Sequence, residues 1–555
     1  MGNVAGVDGR LFDAGEVVDE PVVRGPVGKS FRLYDPDQMF LMPPSIADWV
    51  PEDHLARFVS ELVEEVLDLN PFLAVFTEAR GFPPYDPRLM LKVLIYGYTT
   101  GVRSSRKIEK RCHDDVAFRF LAANQAPDFR SVARFRRRHL VALDALFLEV
   151  LKLCQAAGMV RLGRVALDGS KVRANASRRK AMSFKRLIER EADLQAEVDS
   201  LFADAEAADV ADDARFGEDG RDDDLGGEMA GRESRLARIR RAKAEIARRE
   251  SRLVKIRRAR SDLQADAARR AGADAARKAW HTTTTTTTTP TTADTTTADS
   301  DTTDSDTDSD IADIEVEFGL YFETDTDTDT RIDFGTGAGE RAKAAADAAH
   351  RAASAATVAD KAQRNFTDPD SRIMKTSDGS FHYCYNAQTA ADDAYQVIVA
   401  TRLSNRSADC PEFASIVDEI TSNCGRQPDQ VLADAGYFSD DNVTAADTRG
   451  IDVLIATGRL KHHEKPSAQC DRPADNATSK QQMAYKLRTE PGRAAYARRK
   501  AIIEPVFGQI DTVQGGKQVL LRSEQAAAAE WRLIAACHNL RKLFNYTRAA
   551  RPAPT

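Results

Sequence analysis

Apolar residues recur at helical spacing through the first part of the chain. In "DHLARFVSELVEEVLDL", Leu55, Phe58, Leu62 and Val66 fall on one face, the period of an amphipathic helix. "PRLMLKVLIYGYTTGV", "DDVAFRFLA" and "DFRSVARFRRRHLVALDALFLEVLKLC" continue the helical pattern to about Leu162. The pattern then changes. Val165, Ala166 and Leu167 form a short apolar run before Gly169, and Val172 resumes it. This predicts a buried strand that ends near Asp168 or runs on into a hairpin.

From Met182 to about Ala275 the chain turns to Ala, Arg, Glu and Asp. Two long charged helices joined at "GEDGRDDDLGG" are expected there, as an antiparallel hairpin with a thin apolar stripe. Order returns near Lys361. "FHYCYNAQTA" and "AYQVIVATRLS" read as two strands around a polar hairpin. "CPEFASIVDEITSNC" reads as a helix, and "DQVLADAGYFS" as a strand ending at Asp434. "DVLIATG" is a further short strand. In "YARRKAIIEPVFGQIDTVQGGKQ", Ile503, Val506, Ile510 and Val513 keep helical spacing around Pro505, although a proline inside a helix costs about 3 kcal/mol. A last helix follows, with Ser523 as candidate N-cap and Leu533, Cys537, Leu540 and Phe544 on one face. Strands alternating with helices make this half an α/β pattern.

At 555 residues the chain exceeds one core, and two to four domains are expected. The opening residues carry no signal-peptide pattern, and no apolar run reaches eighteen residues, so a cytoplasmic protein without a membrane span is expected. Seven scattered cysteines with no CxxC pair indicate neither a disulfide framework nor a thiolate metal site. The net charge of −7 hides two opposite blocks. Residues 101–180 hold 19 Lys or Arg against 7 Asp or Glu, whereas 282–330 hold 14 acidic residues and no Lys or Arg. The Thr/Asp-rich composition of 281–335 predicts disorder. The basic block, with Arg134, Arg136, Arg137 and Arg138 beside Val132, Phe135 and Leu140, suits a helix-turn-helix type of DNA contact. The bland alternative is a solvated basic helix face.

Three carboxylates hold distinctive places in the α/β pattern: Asp168 on or at the end of the first strand, Asp434 at a strand end before a Gly turn, and Glu504 just before Pro505. Ligands gather at strand ends in open α/β sheets. Converging carboxylates are hard oxygen ligands for Mg²⁺ or Mn²⁺. Two such ions about 4 Å apart can activate a water or a 3′-hydroxyl against a phosphodiester. Taken singly, an Asp before Gly is an ordinary turn residue and a Glu on a charged helix is ordinarily solvated.

The flanking segments "LDGSKVRANAS", "DPDSRIMKT…YNAQTAADDAYQVIVA", "LADAGYFS" and "YARRKAIIEPVFGQI", with "DDVAFRFLAANQAPDFRSVARFRRRH" upstream, resemble the DDE transposases of bacterial insertion sequences. The resemblance covers roughly 30–275 and 361–546. It implies an RNase-H-like mixed-sheet core interrupted by an α-helical insertion and preceded by an all-α domain. It implies Asp168, Asp434 and Glu504 as a metal-binding catalytic triad for two Mg²⁺ or Mn²⁺ ions, with Tyr496, Arg499 and Lys500 near DNA on the same helix. The expected activity is binding of terminal inverted repeats, cleavage and strand transfer. The expected partner is double-stranded DNA held by a homodimer, in the cytoplasm and at the nucleoid. The rivals are a nuclease on the same fold and a DNA-binding relative without activity.

The expected divisions are a flexible arm over 1–30, a helical DNA-binding domain over 31–162, a catalytic domain from 163–180 and 361–547, a helical hairpin over 181–280, and a low-complexity segment with an Ala-rich linker over 281–360. Two features depart from the family pattern. Asp511 stands seven positions after Glu504, where a basic residue is usual, and the Thr/Asp-rich block is foreign to the helical insertion.

Overall fold

The computed structural model describes residues 45–74, 84–216, 225–285, 336–458, 473 and 476–549. The arm over 1–30, the "GEDGRDDD" turn and residues 286–335 lie outside them.

Seven helices come first: α1 (Leu55–Glu61), α2 (Asn70–Leu73), α3 (Pro87–Thr100), α4 (Ser105–Asp114), α5 (Val116–Leu121), α6 (Phe129–Arg138) and α7 (Leu140–Ala156). Aspartates start three of them. Asp86, Asp115 and Asp128 each accept backbone N–H bonds from the first turn of α3, α5 and α6, a typical N-cap arrangement. Of the face expected around α1, Leu62 is buried and Leu55 and Phe58 pack against the core, but a π turn over Leu62–Val66 turns Val66 outward, 52% exposed.

The sheet grows from β1 (Arg164–Arg173). Its strand runs through Asp168 instead of stopping there, because Gly169 to Arg173 continue to pair with the long β5 (Phe381–Asp392). After β1 the chain forms β2 (Ala181–Ser183), α8 (Phe184–Phe216), α9 (Leu225–Thr285) and α10 (Thr336–Ala355), then β3 (Gln363–Asn365) and β4 (Arg372–Lys375). Beyond β5 come β6 (Ile398–Ser404), α11 (Phe413–Cys424), β7 (Gln430–Ala433), α12 (Asp440–Thr448) and β8 (Asp452–Ile455). The chain ends on α13 (Ser479–Arg488), α14 (Glu490–Thr512) and α15 (Glu524–Ala549). The strand order is β4-β5-β1-β7-β8, with β6 also on β5. β5 runs antiparallel to β1, β4 and β6, whereas β1, β7 and β8 are parallel. The sheet is therefore mixed, and the sequence's α/β reading holds.

One continuous apolar core joins the first helices to the sheet, from Val50 through Leu94, Phe147 and Leu432 to Trp531 and Leu543. Helices α3 and α7 both lie against α15. Helices α8 and α9 have a separate small core of Leu187, Leu194, Leu253, Ile256, Ala259 and Leu263, which matches the thin stripe in their sequence. The antiparallel pair β2–β3 stands where the chain leaves for α8 and returns from α10. Arg364 on β3 bonds Asp262 and Asp266 of α9 at 3.1 and 3.0 Å. The helix α9 continues through 281–285, which composition placed in the disordered block, and the Ala-rich stretch expected as a linker is α10, packed on α9. Small residues let the two backbones approach: a Cβ on Gly272 would lie 3.1 Å from the Ala349 carbonyl oxygen.

Pro505 lies inside α14 without ending it. A proline removes the N–H that would bond the carbonyl four residues earlier, here Ala501. Gln396 fills the gap, donating from Nε2 to the Ala501 oxygen at 2.9 Å. Gln396 is at the tip of the β5–β6 hairpin with φ +58°. It is held there by Lys542, whose Nζ donates to its side-chain oxygen at 2.7 Å, and by His538, whose Nε2 lies 3.0 Å from its carbonyl oxygen.

Candidate active site

The parallel pairing of β1 and β7 sets Ala166 opposite Leu432. The pairing ends there: Asp168 lies two residues further along β1, and Asp434 directly after β7, at the start of a 3-10 turn. Asp434 follows β7 directly and accepts the Gly436 N–H at 2.9 Å, which starts a tight turn. Burial pushes the Asp168 carboxyl up to about 6; Arg499 opposes this and the Asp434 charge adds to it. The two carboxylates thus sense each other across the strand gap.

Helix α14 covers this face. Arg499, 11% exposed, donates to Asp168 Oδ2 at 3.2 Å, and its guanidinium lies 6.0 Å from the Tyr496 ring. Tyr496 is half-buried and its hydroxyl is pushed up by burial. Glu504 does not join the two aspartates. It lies more than one turn beyond Arg499 on the solvent side, 61% exposed, with Lys500 at 3.9 Å. Among the described residues no group of three or more His, Cys, Asp or Glu is arranged to hold a metal ion.

Of the three helix residues expected beside DNA, Lys500 is 73% exposed, whereas Arg499 is engaged with Asp168 and Tyr496 packs inward. Arg499 thus faces the aspartates, and Lys500 faces solvent. Asp511 is half-buried near Lys517, and burial raises its carboxyl.

The basic helix α6 splits in the same way. Arg134, Arg137 and Arg138 are exposed. Arg136 is 5% exposed and is a correction to the DNA-facing set. It donates to the Tyr98 hydroxyl at 2.9 Å, the Arg103 carbonyl at 3.1 Å and Ser105 Oγ at 2.5 Å. Helical period explains this: Val132, Phe135, Arg136 and His139 share the inner face. Tyr98 and Arg103 pass the connection on to buried Glu530 of α15, at 3.0 and 3.3 Å. The exposed face carries further cations, Arg106, Lys107, Lys110, Arg111 and Arg130. Phe129 lies between Arg106 and Arg130, at 5.1 and 5.6 Å from its ring.

Asp409 carries no local sequence signal of a site residue. Its Oδ1 accepts from Lys171 Nζ at 3.0 Å, Asn386 Nδ2 at 2.8 Å and Gln388 Nε2 at 2.7 Å. In "SADCPEF" it reads as an ordinary residue ahead of a helix, and its partners are remote in sequence.

Residues 44–138 match the model of a family described as Transposase domain (DUF772), and residues 357–540 that of the Transposase DDE domain. Together the two matches span half of the chain, and each defines a transposase. The chain belongs to the DDE transposases of insertion sequences. No curated protein and no solved structure matches it. Asp434 and Glu504 fall inside the matched DDE domain. Asp168 falls outside both matches, on the strand that the sheet places between β5 and β7. No helix among the described residues is long and apolar enough to cross a membrane.

Proposed function

We propose that the protein binds the terminal inverted repeats of its element, cleaves the DNA ends and transfers them to target DNA, on an RNase-H-like core interrupted by the helices α8–α10. The observation that carries this reading is the pair Asp168–Asp434: Asp168 lies within β1, Asp434 directly follows its parallel neighbour β7, and the Asp434 charge acts on the Asp168 carboxyl. Two neighbouring carboxylates, one raised by burial, form a donor set that a divalent cation stabilises. Arg499 meets Asp168 from one nitrogen, and its single positive charge can balance only one of the two carboxylates. Asp168 and Asp434 therefore fit Mg²⁺ or Mn²⁺. Glu504, as placed, stands apart from them, and its membership of the triad rests on the family resemblance. A bound cation would polarise the phosphodiester and lower the pKa of the attacking hydroxyl. The chain's own contribution is to hold the two carboxylates beside each other and to anchor duplex DNA on the exposed cations of α4 and α6, with Lys500 nearer the site. A homodimer on paired ends at the nucleoid completes the reading.

The test is incubation of the full chain with duplex DNA bearing the element's ends and Mg²⁺ or Mn²⁺. Cation-dependent cut and joined products are expected, with loss of both in Asp168→Asn and Asp434→Asn. Cutting without joining selects the nuclease reading. End binding with no cutting selects an inactive relative, which Asp511 and the outward placement of Glu504 favour.

A further inference from the structure

We propose that Asp409 is a positioning residue that sets Asp168 against Asp434 and thereby fixes the affinity of the pair for a divalent cation. This rests on the reading of the two aspartates given above.

Asp409 lies behind the sheet face that carries Asp168. Gly169 pairs with Gln388 and Lys171 with Asn386 across β1 and β5, so these four residues share the opposite face. Asp409 closes that face, gathering Lys171, Asn386 and Gln388 onto one oxygen. It comes so close to β1 that only glycine fits there: a Cβ on Gly169 would lie 2.5 Å from Asp409 Oδ1 and 2.7 Å from Gln388 Nε2. Gly169 is the residue after Asp168.

The same carboxylate reaches the turn that carries Asp434. A Cβ on Gly436 would lie 3.2 Å from Asp409 Oδ2 and 3.1 Å from Asp434 Oδ1. Gly436 is therefore held between the two carboxylates, bonded to Asp434 through its N–H. A second route ends at the same place. Tyr437, fully buried in that turn, donates its hydroxyl to Gln388 Oε1, and Gln388 donates to Asp409. Asp409 thus touches β1 beside Asp168 and braces the turn beside Asp434. Ligand groups must be held to within about 0.5 Å for full affinity, and a brace joining their two backbones supplies such control.

The experiment measures Mn²⁺ affinity directly, by titration calorimetry on the full chain without DNA, beside the thermal midpoint. Asp434→Asn should abolish Mn²⁺ binding. Asp409→Ala should weaken it at least tenfold, and Asp409→Asn, which keeps an accepting oxygen, by less. Gly169→Ala should reproduce the loss with every charge intact. A merely structural role would lower the thermal midpoint and leave Mn²⁺ affinity unchanged well below it. If Asp434→Asn abolishes binding while Asp409→Asn and Gly169→Ala bind as the wild type does, the positioning role is overturned and the carboxylate pair stands. If the wild type takes up no Mn²⁺, or Asp434→Asn takes it up normally, the carboxylate-pair reading fails first. Should Asp409→Ala not fold, the other two variants decide.

Discussion

Replacing Arg136 by Ala should damage the fold of the amino-terminal helices and leave the electrostatic part of DNA binding almost untouched. The guanidinium makes three bonds inside the protein. Without it the Tyr98 hydroxyl keeps Glu530 as its partner, and Glu530 keeps Arg103. The Arg103 carbonyl and Ser105 Oγ lose theirs. Two stranded polar groups at about 1–2 kcal/mol each, with the space left by the side chain, amount to roughly 3 kcal/mol. The chain is too large for a single two-state melt, so the assay is native-state hydrogen exchange in α4 and α6, where opening is local. Protection there should fall by about two decades, since 1.4 kcal/mol is a factor of ten. Arg134→Ala and Arg137→Ala should show the opposite signature. Exposed substitutions change stability by about 0.5 kcal/mol or less, whereas each lost phosphate contact flattens the log–log salt dependence of DNA affinity by about 0.9. Unchanged exchange together with a flatter salt slope in Arg136→Ala would refute the burial argument and return Arg136 to the DNA-facing set.

His538 is fully buried, and burial pulls its imidazole down to about 3 from 6.5. The folded state then binds fewer protons than the unfolded state between these values, so stability is complete above about 6.5 and is lost progressively as pH falls toward 3. His538→Gln should flatten that acid limb, which thermal midpoints measured across pH 4–7 would show; an unchanged limb counts against it. Gln396→Asn suits the positive φ but is too short to reach the Ala501 carbonyl. It should cost about 1 kcal/mol in the wild type and less in Pro505→Ala, where the helix regains its own N–H; equal costs in both backgrounds would disprove the link. Asp511→Lys should tighten end binding at low salt and steepen the salt slope by about 0.9 if the position faces phosphate, and no change would show that it does not.

The strands were legible because local pattern and tertiary role agree in them. Val165–Leu167 and the apolar part of "DQVLADAGYFS" are buried central strands that read as continuous apolar runs. Asp434 could be picked out at a strand end and Asp168 beside an apolar run, and the parallel pairing of β1 with β7 brings the two carboxylates close enough for one to act on the other. What failed depended on partners that the local pattern does not contain. A charge run treats four arginines alike, but the inner face of α6 includes one of them, and its acceptors lie 31 to 38 residues away. The Ala-rich α10 lacks the large apolar residues that mark a core helix, yet small residues are what let it close on α9. Asp409 was invisible because its lysine is 238 residues distant.

Pro505 shows the same logic from the other side. The sequence breaks a helix rule there, and the structure shows a repair: a freed carbonyl becomes an attachment point for Gln396, 105 residues away. Asp393, in the same hairpin, also pairs with Arg498 on α14. The hairpin therefore grips the helix at two points flanking Arg499, the residue that meets Asp168. Its first strand, β5, carries Gln388, which bonds Asp409 on the opposite face. One supersecondary unit thus fixes both the helix above the aspartate pair and the brace beneath it. A proline that is costly by local helix rules removes a bond the helix could have made alone and lets the hairpin make it instead. That exchange ties the placement of α14 to the sheet that carries Asp168 and Asp434.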